Sequence, residues 1–189
     1  MRLKFGHLIF VLTLFASCRH EPQPFQASLA GYSIQFPSTS KELRNKYPNA
    51  TESLLIYLRD TTQDVRVAWR FENSVRDAQS QPYGVLITLK NKGYKMDSIR
   101  TALETQYGKS FKPLTRPQFL DKYEYYEQDP SLGVMQINDD VQLSINRRKV
   151  WPQGGYKFTN DVVVSICYNL DATERERFAM EQGDIRNLD

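Results

Sequence analysis

Histidine is nearly missing from this chain of 189 residues. His7 and His20 are the only two, and both fall within the first twenty positions. Beyond position 20, Ser-His-Asp and Cys-His pairs therefore have no base, and the usual zinc ligand sets lose their main donor. Cysteine is as scarce, with Cys18 and Cys167 alone. The adjacent glycines Gly154-Gly155 lack the further glycine spacing and following helix of a phosphate loop. Charge of one sign is lacking too. Arg2 and Lys4 lie in the first 17 residues; without them Lys+Arg is 23 against 22 Asp+Glu, a net of +1. That is no nucleic-acid footprint. The one basic run, Arg147-Arg148-Lys149, reads as a solvated loop face before Trp151-Pro152. The apolar stretch Phe5–Phe15 is interrupted by Gly6, His7 and Thr13, and falls short of the about 20 residues a membrane span takes.

What is present at the start has an order of its own. Met1-Arg2-Leu3-Lys4 is short and positive, Phe5–Phe15 is apolar, and the small residues Ala16-Ser17 stand directly before Cys18. Charge, apolar length and small-residue end are those of a secretory signal. Leu14-Phe15-Ala16-Ser17-Cys18 resembles the bacterial lipoprotein signal, in which an aliphatic residue and two small residues precede the Cys; Phe15 stands where Leu or Val is usual. The resemblance implies cleavage before Cys18, lipid on the Cys18 sulfur and acylation of the new N-terminus. It also implies an envelope address. Arg19, where enteric inner-membrane lipoproteins carry Asp, points to the outer membrane. One acyl chain holds a protein marginally; each buried methylene adds roughly 0.8 kcal/mol, so two or more make a lasting anchor. The expected division is residues 1–17 leader, 18–28 lipidated tether and 29–189 a single domain. With Cys18 lipidated, Cys167 has no disulfide partner.

Downstream the periodicities alternate unevenly. Gly31–Phe36 reads as a strand. Thr39-Ser-Lys-Glu42 is a capping box opening a helix to about Tyr47, where Pro48 forbids continuation. Ser53–Leu58, Val65–Phe71 and Tyr83–Leu89 read as strands. Met96, Ile99, Leu103 and Tyr107 make an apolar stripe on a helix that Gly108 ends. Tyr123–Glu127, Gly133–Ile137, Val141–Ile145 and Tyr156–Tyr168 follow as strands, and Asp171-Ala-Thr-Glu174 opens a weakly amphipathic last helix. Strands in consecutive runs predict an α+β fold, antiparallel meanders packed by two or three helices.

Three constellations could carry chemistry, and each has a plainer reading. Ser38-Thr-Ser-Lys41 resembles one element of penicillin-recognising serine enzymes, but the Lys-Thr-Gly element is missing and the stretch makes sense as a helix cap. Asp121, Glu124, Glu127 and Asp129 lie among tyrosines, as a glycosidase pair could, or as a charged edge strand would. Asn138-Asp139-Asp140 reads as a hairpin turn, since the spaced ligands of a calcium loop are lacking. Cys167, in an alternating apolar strand, reads as a buried structural thiol. No catalytic residue, metal ligand or cofactor is expected. The expected function is that of a membrane-anchored envelope module, held by acyl chains on Cys18, that binds a protein or polysaccharide and no nucleic acid. A small carboxylate-based hydrolase and an inhibitor or immunity-type lipoprotein are the alternatives.

Overall fold

A computed structural model describes residues 21–114, 132–150 and 157–181. The fold is α+β. Ten strands occur among the described residues: β1 Phe25–Leu29, β2 Tyr32–Phe36, β3 Thr51–Ser53, β4 Tyr57–Thr61, β5 Val65–Phe71, β6 Pro82–Leu89, β7 Lys112–Pro113, β8 Gly133–Gln136, β9 Val141–Val150 and β10 Lys157–Tyr168. Three α-helices, α1 Ser40–Lys46, α2 Met96–Tyr107 and α3 Ala172–Glu181, interrupt them. β1 and β2 form a hairpin; the other eight make one antiparallel sheet in the order β3-β4-β5-β6-β10-β9-β8-β7. Every pairing joins strands by antiparallel register, as consecutive strand runs require.

Alternation gives the sheet two different faces. One presents Leu58, Val67, Trp69, Val85, Ile87, Leu143, Ile145, Val164 and Ile166, all under 2% exposed. The β1–β2 hairpin, α1 and α2 cover it, and their Ile34, Phe36, Leu43 and Leu103 complete the main core. The helical phase of α2 is therefore as expected, with Met96 and Leu103 buried and Ile99 and Tyr107 packed against the core at their sides. Gly108 ends α2 at φ +63, in the left-handed region that glycine enters without steric cost. Lys95 holds the N-cap position of α2 and makes no side-chain cap. The other face has a smaller cluster, Ala68, Leu86, Val163, Cys167 and Phe178, set among buried Ser144, Ser165, Thr88 and Asn146. Ser144 and Ser165 satisfy each other across β9 and β10.

Three sequence expectations are corrected. Residues 25–28 are not tether. Phe25, Ala27 and Leu29 alternate inward on β1, Phe25 is 7% exposed and its ring stacks 6.3 Å from Tyr107. Ser53–Leu58 is not one strand, because Leu54–Ile56 turn the chain between β3 and β4. Arg147 and Arg148 lie on β9 rather than in a loop, and Arg148 reaches Asp161 at 3.5 Å. The capping box is as read: Thr39 and Glu42 each accept the other's backbone N–H.

The strand directions define two ends. β5 and β10 finish, and β4, β6 and β9 begin, at what is here termed the lower end. The backbone N–H of Gln23 donates to Asp140 Oδ2 at 2.8 Å, so the chain joins the fold at that end, beside the β8–β9 turn.

Candidate functional site

The lower end also holds a cleft of about 660 Å³ between the second sheet face and α3. Ile56, Phe71, Pro82, Tyr168, Asn169 and Leu170 are among the residues that line it. Asp171 starts α3 with a second reciprocal cap: the Glu174 N–H donates to Asp171 Oδ1 at 2.8 Å, and the Asp171 N–H to Glu174 Oε2 at 3.3 Å. That cap aims Phe178 back onto the sheet, where Gly84 makes room. A Cβ at Gly84 would stand 2.3 Å from the Phe178 ring. The weakly amphipathic last helix is thus seated firmly at Phe178, 3% exposed, and Ala179, 1%.

Arg70 of β5 organises the cleft. Its guanidinium lies 5.5 Å from the Tyr83 ring, 5.8 Å from Tyr57 and 5.9 Å from Phe178. Such cation–π contacts are worth about 0.5–2 kcal/mol each and hold an otherwise flexible side chain in one place. Arg177, Glu72 and Glu174 add charges of both signs to the lining. Tyr168, stacked 5.0 Å from Phe36, has its phenol pKa raised by burial and by the nearby Asp140. The cleft can therefore offer hydrogen bonds, a guanidinium and aromatic edges, the mixture that recognises a polar ligand.

The residues singled out from sequence are dispersed. Asp121, Glu124, Glu127 and Asp129 lie outside the described residues, as does Cys18. Asn138 makes the expected turn, its Oδ1 accepting the N–H groups of Asp140 and Val141 at 2.9 and 2.8 Å. Within Ser38–Lys41, Ser38 is buried and Lys41 exposed, and Ser40 donates to the Val75 carbonyl at 2.5 Å. Cys167 is buried, its Sγ donates to the Gln142 carbonyl at 3.6 Å, and burial pushes its thiol up to about 12. Such a thiol is a poor nucleophile. Among the described residues no three His, Cys, Asp or Glu gather as a metal site, and no helix is long and apolar enough to cross a membrane. Sequence reasoning missed the cleft. Arg70, Tyr83 and Phe178 come from three elements, and only the capping pair Asp171–Glu174 signalled any part of it.

Comparison of the chain with known protein families, with characterised proteins and with solved structures finds no match.

Proposed function

We propose that the chain is a lipid-anchored binding protein of the bacterial cell envelope. Its anchor is Cys18 and its ligand-receiving site is the cleft beside α3. The observation that carries the binding half is the lining: a guanidinium pinned among three aromatic rings, with Glu72, Glu174 and Arg177 around it. Aromatic edges beside charges of both signs suit an envelope polysaccharide, whose rings stack and whose hydroxyls take up hydrogen bonds. The anchoring half rests on the order of charge, apolar stretch, small residues and Cys in residues 1–18. A photo-crosslinking side chain in place of Tyr83, in intact cells, tests the site. Adducts specific to position 83 and missing at Tyr94, on the opposite end of the sheet, are the expected result. Equal capture at both positions would refute the assignment.

The hydrolase alternative keeps one foothold, since two carboxylates, Glu72 and Glu174, line the same cleft. Glu174→Gln distinguishes the two: it would abolish turnover of a captured glycan by an enzyme, whereas a binding protein turns nothing over.

A further inference from the structure

Among the described residues three large apolar side chains stand exposed: Leu54 at 63%, Leu55 at 47% and Tyr94 at 77%. The two leucines are adjacent and form the tip of the β3–β4 connection. Both are left-handed, at φ +52 and +61. Turns with successive positive φ favour Asn and Gly, because a Cβ crowds the following carbonyl. The chain thus places two bulky apolar residues where the backbone tolerates them least and water solvates them worst. The backbone beneath them is held in place from outside. The Val75 N–H donates to the Leu55 carbonyl at 2.7 Å, and the Phe71 N–H to the Ile56 carbonyl at 2.9 Å. Such strain, held in place by the surrounding backbone, often serves something other than turning the chain.

We infer that Leu54 and Leu55 are a second membrane contact, inserted into the apolar boundary of the bilayer that carries the Cys18 anchor; this rests on the anchoring proposed above. Two observations choose a bilayer as the occupant. The tip lies on the lower end of the sheet, where Gln23 joins the fold. Four strand steps separate β4 from β9, so the tip and the Gln23–Asp140 contact are roughly 19 Å apart across the sheet, at the same end of their strands. The tether is also shorter than the sequence suggested. With Gln23 pinned, five residue steps remain from Cys18, reaching at most about 18 Å when fully stretched. A lipid on Cys18 would therefore keep Gln23 within about 18 Å of the headgroups, with the leucine tip at the same end of the sheet and within reach of the same surface. The contact is apolar rather than electrostatic: the nearby cations Arg44 and Arg76 are met by Glu52, at 3.6 and 2.8 Å. Zwitterionic lipid is sufficient, and added salt leaves the contact in place.

The test uses the full acylated chain, purified from membranes and reconstituted in phosphatidylcholine vesicles. An environment-sensitive fluorophore is attached at Leu54→Cys or Leu55→Cys, and at Tyr94→Cys as the opposite-end control. Cys167 is buried and does not compete for label. Near-ultraviolet circular dichroism matching the parent verifies each fold. The expected result is blue-shifted emission at both leucine positions, quenched several-fold more by nitroxide-bearing lipid than the label at 94. Water-like emission at 54 and 55 in a chain whose intact mass shows acyl groups on Cys18 would overturn the membrane contact alone. A blue shift without lipid quenching would also overturn it, in favour of a protein pocket. A chain without acyl mass on Cys18 would overturn the anchoring and this inference with it.

Discussion

The two ends of the eight-stranded sheet differ at one turn, Leu54-Leu55. At the upper end Asn91 takes the left-handed conformation at φ +54, its N–H held by Asp161 Oδ1, and the Thr62 hydroxyl closes the β4–β5 turn through Val65. These are the small polar residues that such backbones favour. The lower end uses the same chemistry at Asn138 and at Asn169, and departs from it at Leu54-Leu55. It also carries the cleft and the point where the chain joins the fold. Ala30, at φ +52 in the β1–β2 turn, also departs from that preference, but with a small side chain. Leu54-Leu55 departs from it at two successive positions with large exposed side chains, as the inferred membrane contact requires.

The largest effect that would sharpen this contrast concerns Phe25. Its buried ring ties the N-terminal strand to α2 at the lower end, so Phe25→Ala should cost about 3–5 kcal/mol by lost transfer and residual cavity. Urea denaturation checks this; a loss below about 1 kcal/mol would return residues 25–28 to the tether. Gly84→Ala comes next. The added methyl collides with Phe178, and overpacking of this kind costs about 1–3 kcal/mol. Its signature is local: α3 should lose hydrogen-exchange protection while α2 keeps its own. Leu54→Asn with Leu55→Gly reverses the sign. Relief of two left-handed leucines should raise stability by about 1–2 kcal/mol, seen as a higher Tm. A drop in Tm would mean that the leucines serve the fold, and the contrast between the ends would collapse. The smallest effect is chemical. The Cys167 thiol, pushed up to about 12 by burial, keeps its proton below that pH and should resist iodoacetamide at pH 8 until denaturant opens the sheet.

Much of the fold was legible because its signals are local. The reciprocal cap of Thr39 and Glu42, the stripe from Met96 to Tyr107, and the alternation of Val162, Val164 and Ile166 each sit within a few turns of chain. Leu54–Ile56 misled because apolar residues read as strand. The N–H groups of Phe71 and Val75, some 15 to 20 positions away, impose the turn instead. β1 was hidden by Pro22 and Pro24, whose company made Phe25-Gln-Ala-Ser look like tether, although Phe25, Ala27 and Leu29 already alternated. Arg147 and Arg148 read as a loop because charge argues for solvent, yet β9 continues through them and Arg148 finds Asp161. The cleft was not legible at all, since register and the seating of α3, not spacing, bring Arg70, Tyr83 and Phe178 together.

Cys18 carries the proposed anchoring, and one measurement reaches it directly. Metabolic labelling with a fatty-acid analogue, followed by the intact mass of the mature chain, compares the parent with Cys18→Ser. The expected result is a labelled parent that begins at Cys18 and carries its acyl groups, beside an unlabelled variant that keeps its leader or is released from the membrane. Equal labelling of the two chains, or a parent that retains Met1 without lipid, would contradict the account.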